Sequence, residues 1–379
     1  MNKKLLAVAV AGAFAAPALA LAQNSTVQIY GTLNAEYGFA KGFQESAGRT
    51  NSWDGLNSGA SSLGFKGEEK LGGGMSAFFQ CESDLGFLKG DQGTTAAALA
   101  TQPGFCGRNS AVGLKGGFGS FFIGTWDSPT KQAVAAHRIA GETGWHGVQS
   151  FLISGGGAFT GSFSVRNSNS LNYNSPKFGG FSFKAQTTST KAASTVQTAG
   201  LKGRHTSLSA DYSAGPLAVT AAYSTADDNR SAAAATGTDM SSVVLGGSYT
   251  FGKAKLALMY IDSSSDVSTT EELKRKSWNI GGTYDLAGPG SIFAAYTVAG
   301  DTKTNNASTA VANTGANTGG KTYQIGYRHS LSKRTFAGLS YVRAKNDSNA
   351  IGYSVGAQGT ALTAGASSSV VVMQLNHKF

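Results

Sequence analysis

The chain has 379 residues, of which only 14% are charged, yet Lys and Arg outnumber Asp and Glu by 31 to 21. Gly is abundant at 52, Pro scarce at 6, and 13 Tyr and 21 Phe make the chain rich in aromatics. Beyond the first residues there is no apolar run of about 18, which excludes a helical membrane span; the basic excess suits anionic solutes or anionic lipid, and an export signal argues against nucleic acid.

That signal occupies the start. Lys3 and Lys4 precede an apolar run over 5–16, and Ala18-Leu19-Ala20 overlaps Ala20-Leu21-Ala22 as two A-x-A sites. Cleavage after Ala22 is expected, giving a signal peptide at 1–22 and one domain at 23–379. The next segment, 26–40, alternates: Val27, Ile29, Leu33, Ala35, Tyr37 and Phe39 share one parity, and Gln28, Thr32, Asn34 and Glu36 the other. Period two with one apolar face is a strand. A polar loop is expected over 41–59. A second strand follows at 61–70, with Leu63 and Phe65 on one face and Lys66 and Glu68 on the other, and a third at 75–85.

From there a rhythm holds. Short turns at 71–74, 116–119, 176–180, 214–216, 251–253, 287–290 and 331–334 each join two alternating segments of about ten residues, the length a tilted strand needs to cross a bilayer. Long polar loops separate the pairs. Paired hairpins with one strand left over at each end predict sixteen strands: an all-β, antiparallel transmembrane β-barrel with short periplasmic turns and long extracellular loops. The loops at 302–320 and 348–367 are small and polar and are expected to be mobile. The longest gap, 127–165, carries His137, Arg138, Glu142, Trp145 and His146 and is expected to fold into the lumen as a constriction.

The last strand, 369–379, places Val371, Met373, Leu375, His377 and Phe379 on one face and stops on the aromatic. An open sheet edge is not tolerated in lipid, so this strand must pair with the first. Cys81 and Cys106 form an even pair in an exported chain and are expected to be disulfide-bonded.

Several segments resemble the general porins of beta-proteobacteria: V-Q-I-Y-G-T-L-N-A-E-Y-G at 27–38, L-G-F-K-G-E-E-K-L-G-G-G at 63–74, A-V-G-L-K-G-G-F-G at 111–119, N-S-L-N-Y-N-S-P-K-F-G-G-F at 169–181, and the aromatic end. The resemblance spans 23–379. It implies a water-filled barrel of sixteen strands in the outer membrane, a homotrimer, a third long loop folded inward, and a basic cluster on the wall facing it. It implies partners too: outer-membrane lipid and lipopolysaccharide, small hydrophilic solutes, and an assembly machinery that reads the final aromatic, here Phe379.

Carried over residue by residue, Lys66, Arg108 and Arg166 match basic wall positions, and Asp127, Arg138 and Glu142 are the candidates from the loop. Ser62 stands where the family often has Arg, and Gly124-Thr125-Trp126-Asp127 where it often has G-R-Q. With those charges missing, the expected anion preference is mild. Basic side chains facing carboxylates set a transverse field that sieves hydrated solutes, so the expected function is passive diffusion of small hydrophilic solutes and ions. Parity also turns Lys184, Asp211 and Arg328 inward.

Two alternatives stay open: a substrate-selective channel with a weak site, and a barrel enzyme or adhesin. Gly352-Tyr353-Ser354-Val355-Gly356 fits a nucleophile elbow, but that motif has meaning only between a strand and a helix. The five histidines show no metal-ligand spacing, and no cofactor is called for.

Overall fold

In the computed structural model the described residues are 26–45, 49–88, 104–139, 145, 163–188, 204–227, 239–266, 271–305, 314–355 and 363–379. The expected signal at 1–22 lies outside them. So do Glu142 and His146.

Sixteen antiparallel strands close on themselves. β1 is Thr26–Glu45 and β2 runs in two segments, Arg49–Asn57 and Ser62–Gly72. β3 (Met75–Asp84), β4 (Ser110–Gly116) and β5 (Gly119–Asp127) follow. The helix α1 (Pro129–His137) leads to β6 (Arg166–Asn174) and β7 (Phe181–Thr188). Next come β8 (Arg204–Ala214), β9 (Leu217–Asp227), β10 (Met240–Phe251) and β11 (Ala254–Asp266). β12 (Glu272–Asp285), β13 (Gly290–Ala299, resuming at Lys303–Thr304), β14 (Gly320–Ser330), β15 (Thr335–Asn346) and β16 (Ser367–Lys378) complete the wall. Each strand pairs with its neighbours in sequence, and β16 pairs with β1 from Thr32↔Lys378 to Lys41↔Ser369. The expected closing seam is present, and no edge remains for lipid to meet.

The alternation predicted from period two sorts the faces. Outward positions are large and apolar: Val27, Ile29, Ile123, Leu258 and Ile325 are each about 60% exposed. A water-soluble protein does not leave so many such side chains in the open; a lipid-facing wall does. Aromatics gather near the short turns, where Phe121 packs on Tyr173, Phe181 on Tyr212 and Tyr249 on Phe251. Inward positions are small and polar, with Asn34, Ser170, Asn172, Ser207, Ser242, Asn279 and Thr297 all buried. The interior is the polar side, an inverted version of the soluble pattern.

The first turn works because three successive glycines, Gly72, Gly73 and Gly74, all take positive φ, a region closed to most side chains. One expectation fails nearby. The segment 41–59, read as a polar loop, is mostly strand: β1 continues to Glu45 and the first part of β2 pairs with its upper half, Glu36↔Asn57 to Glu45↔Arg49. Its lower half pairs with the second part, Thr26↔Glu68 to Thr32↔Ser62. Between the two parts the chain kinks, Ala60 at φ 58 and the Ser61 N–H donating to the Ser58 carbonyl. The polar run hid a strand because its residues do not alternate apolar with polar.

Candidate functional site

The residues after β5 turn into the lumen. Ser128 starts α1: its Oγ accepts from the Lys131 N–H at 3.2 Å, and Pro129 occupies the first turn, where a missing N–H costs nothing. The helix then docks on the inner wall. Thr130 binds Ser207 of β8 through its N–H (3.1 Å) and its hydroxyl (2.8 Å). Ala133 and Val134 pack on Ala222, Val244, Met259 and Ile261. His137 Nε2 lies 3.0 Å from Thr220 Oγ1, and its ring lies on Gly246, where a Cβ would approach to 2.3 Å. Burial holds the His137 imidazole below its ordinary value, with Lys255 adding to the effect and Asp211 opposing it.

Past the helix, Ile139 packs with Ala257, Phe293 and Ala295. Trp145 reaches the seam: its N–H donates to Glu36 Oε2 at 2.9 Å and its ring fills the space above Gly38. The loop returns at Phe163, packed on Ala226, Met240 and Leu273, and its base is closed by the Ser128 N–H donating to the Val165 carbonyl. The inserted loop is thus tied to β8–β13 and to the β1/β16 seam, while the inner wall of β2–β6 faces it.

That wall carries the predicted charges in several ion-paired groups. Arg108 binds Glu82 (2.5 Å) and Asp84 (2.6 Å). Burial alone would lower its guanidinium, but the two carboxylates outweigh that and hold it above its ordinary value. Tyr30 donates to the other oxygen of Glu82 at 3.0 Å, and Lys66 lies over the Tyr30 ring, 5.0 Å from its centre. Arg166 binds Asp127 (3.0 Å) and Asn109 Oδ1 (2.9 Å), and Asp127 also takes Lys131 (3.1 Å). Lower down, Glu68 receives both Lys70 and Lys115, beside a recess of about 410 Å³ lined by Gln28, Lys66, Gln80 and Ser120. Lys184 pairs with Asp211 at 3.1 Å on the inner face, as parity predicts. Arg328 also points inward, against Phe293 and Phe336.

Lys66, Arg108, Arg166 and Asp127 therefore sit together. Arg138 stands apart at the end of α1, half-buried, its N–H donating to the Val134 carbonyl. Three contributors escaped the sequence reading: Glu82 and Asp84, which neutralise Arg108, and Tyr30, which seats Lys66. The signal for Glu82 and Tyr30 was strand parity, since Gly64 pairs with Glu82 on one side and Tyr30 on the other. Cys81 and Cys106 are disulfide-bonded, as expected, with their Cα atoms 4.7 Å apart. This fixes the chain just before Arg108.

A second segment also folds inward, against expectation. The loop after β15, read as mobile, buries Tyr353 and Val355. Asn346 grips the Tyr353 backbone in both directions, Nδ2 to its carbonyl (2.9 Å) and Oδ1 from its N–H (3.1 Å). Arg275 donates to its hydroxyl at 3.3 Å. Burial pushes the Tyr353 phenol up. Val355 joins Trp145 in one apolar cluster with Val342, Val370 and Val372, so the two inserted segments meet over the seam. Ser354 is buried in that contact, and among the described residues no helix follows it. The elbow reading has no support there.

The Gram-negative porin family profile matches residues 7–349. Outer membrane porin protein 32 of Delftia acidovorans is 27% identical over 384 residues, covering 100% of both chains. Major outer membrane protein P.IB of Neisseria gonorrhoeae is 32% identical over 189 residues, 49% of this chain and 48% of that one. Among solved structures, the anion-selective porin from Comamonas acidovorans superposes with a TM-score of 0.74 at 26% identity, covering 94% of this chain and 100% of its own. The trimer form of OmpT of Vibrio cholerae shares the fold, with a TM-score of 0.65 at 16% identity, over 94% and 100%.

Proposed function

Because the chain belongs to the Gram-negative porin family and forms a channel for passive diffusion across the bacterial outer membrane, we propose that its passage is narrowed between the inserted loop and the wall bearing Lys66, Arg108 and Arg166. Such proteins are channels, not enzymes. Arg138 and Glu142 are the loop's contribution in this reading, while Asp127, expected from the loop, ends β5 and joins the wall beside Arg166. Solutes are small, hydrophilic and unselected by any tight site, and the channel mildly prefers anions.

The observation that carries the reading is the charge balance. Arg108, Arg166 and Lys184 each have a carboxylate partner, while Lys66 is exposed and has none among the described residues. A compensated wall orients hydrated solutes without holding them, and the exposed Lys66 tips the preference toward anions. The relative described as anion-selective supports the sign. We extend the proposal to a signal cleaved after Ala22, to a homotrimer, the state named for the Vibrio cholerae relative, and to contacts with outer-membrane lipid, lipopolysaccharide and the barrel assembly machinery.

The test is reversal potential in a salt gradient across a planar bilayer. Wild type should give a small potential of anion sign, and Lys66→Ala should move it toward zero. A potential clearly of cation sign would overturn the selectivity. Conductance that saturates at millimolar solute would replace diffusion with a substrate-selective channel.

A further inference from the structure

Arg328 differs from the arginines of the basic wall. Arg108 and Arg166 each meet carboxylates, but Arg328 has no hydrogen bond and no ion pair among the described residues. It sits near the short-turn end of β14, half-buried, on the inner face shared with Thr322 and Gln324. Its contacts are two rings, one from the strand on each side. Its Cζ lies 4.8 Å from the centre of Phe293 on β13 and 5.4 Å from that of Phe336 on β15. Nε is covered and bonded to nothing, which leaves the terminal nitrogens to meet the lumen. Taking a guanidinium out of water without a partner is unfavourable, and ring faces replace only part of its hydration. A membrane-spanning wall that keeps such a residue points to a solute path.

The register shows what lies around it. Ser291 faces Arg328 from β13, its hydroxyl on the same inner face. Gly338 faces it from β15 and has no side chain to fill the space. A Cβ there would lie 3.4 Å from Gln374 Oε1, so Gln374 of β16 forms the far wall of the gap. The acids along this row are Asp285, beyond Ser291, and Glu36, beyond Gln374. Asp285 is exposed at its turn, and Glu36 is taken by Asn34 (3.1 Å) and the Trp145 N–H (2.9 Å). Neither pairs with Arg328. The result is a cationic notch between a hydroxyl, an amide and two rings. A planar fork of N–H donors matches a carboxylate, whose two oxygens it takes side by side. The rings suit the carbon chain behind that carboxylate better than they suit a fully hydrated inorganic anion.

We infer that Arg328, with Ser291 and Gln374, is a binding station for small organic carboxylates on the short-turn side of the lumen, apart from the wall of Lys66, Arg108 and Arg166. The carboxylate takes the terminal nitrogens of Arg328 and the Ser291 hydroxyl, and the alkyl part lies toward Phe336. One forked pair at an open wall holds the solute loosely enough to release it, as conduction requires. The inference rests on the lumen being the water-filled path of the channel reading, and it names a solute class for that path.

The test is saturation-transfer-difference NMR of the detergent-solubilised full chain with propionate and with propionamide, its neutral counterpart. The variants are Arg328→Gln and Arg328→Lys. The control of equal charge change is Lys333→Gln, exposed at the short turn after β14. Wild type and control should bind propionate saturably and propionamide not at all. Arg328→Gln should bind propionate roughly tenfold more weakly, the loss of one forked ion pair. Arg328→Lys keeps the charge without the fork and should also bind more weakly than wild type. Wild-type binding by Arg328→Gln, an equal loss in Lys333→Gln, or equal retention of propionamide would each overturn the station. Should Arg328→Gln not fold, Arg328→Lys gives the comparison, and wild-type affinity there would overturn the forked contact. Inorganic phosphate should displace propionate less well than acetate does; equal displacement would overturn the carboxylate class. Single-channel conductance in potassium chloride separates the readings. A wild type that conducts without binding propionate loses the station alone, and one that binds propionate without conducting loses the channel reading alone.

Discussion

Gly31 and Phe379 exchange both backbone hydrogen bonds, each N–H donating to the other's carbonyl at 3.1 Å, and the Phe379 ring covers Gly31 on the outer surface. The last residue is therefore the last rung of the seam. Glycine is required opposite it: a Cβ at 31 would stand 2.4 Å from Phe379 Cζ and 2.6 Å from the Ser62 carbonyl oxygen, which is backbone and cannot swing aside. Gly31→Val should cost about 1–3 kcal/mol by overpacking, read as a lower denaturation midpoint of the refolded barrel. Deleting Phe379 removes two hydrogen bonds worth about 1 kcal/mol each and the rim aromatic. It should reduce the yield of assembled barrels far more than the conductance of those that form. An unchanged yield with altered conductance would contradict this role.

Arg108 is held by two carboxylates, and its removal exposes both. Arg108→Ala should shift the reversal potential toward cations further than Lys66→Ala does. A bare carboxylate near a passing ion is worth about 1 kcal/mol in water-like surroundings, so the permeability ratio should move roughly fivefold. Adding Glu82→Gln and Asp84→Asn to Arg108→Ala should return it toward wild type, because the network then loses its negative charge too. If Arg108→Ala leaves the potential in place, Glu82 and Asp84 do not face the ion path.

How much of this could be read from the residues alone differs by element. The strands and their faces were legible, because a lipid-facing wall forces one side of every strand to be apolar, as in Trp278-Asn279-Ile280. The upper part of β2 was not, because Arg49–Asn57 shows no alternation of apolar with polar residues. The long loop after β5 announced itself by length and by His137 and Trp145. Its path did not, since it is set by gaps over Gly246 and Gly38 that exist only once the wall has closed. The inward fold after β15 was hidden for the same reason: Tyr353 fills a space over Gly320 in a segment whose composition reads as unanchored. Lys66, Arg108 and Arg166 could be named singly, but whether each is free or neutralised depends on partners from other strands.

His137 pins α1 to the wall as a neutral ring. Its folded value is depressed below roughly 6.5, so the unfolded or undocked chain binds the proton more readily. The contribution is whole above that pH and is lost as pH falls through the depressed value. The charged groups around it are Asp211 and, through it, Lys184 from β8 and β7, and Lys255 from β11. Wild-type channels should show more current noise at pH 5 than at pH 7.5. His137→Gln, which can still reach Thr220 without titrating, should have nearly the same noise at both. Equal pH sensitivity in the two would place the switch elsewhere.

Tyr353 does for the segment after β15 what His137 does for the helix. Its ring is fully buried over Gly320, where a Cβ would come within 2.5 Å, and its backbone is clamped by Asn346. Truncating a buried aromatic costs about 3–5 kcal/mol in a packed core. Here that cost falls on the docking of one segment, because the strands beside it keep their own ladders. Tyr353→Ala should therefore release the segment without melting the barrel: limited proteolysis should cut at 347–366 while the heat-resistant mobility of the barrel persists. Because Val355 shares its cluster with Trp145, the release should also loosen the far anchor of the inserted loop and raise both conductance and noise. Tyr353→Phe, which loses only the hydrogen bond from Arg275, should stay closed. A barrel that loses its mobility with Tyr353→Ala would show instead that the segment is part of the wall's own stability.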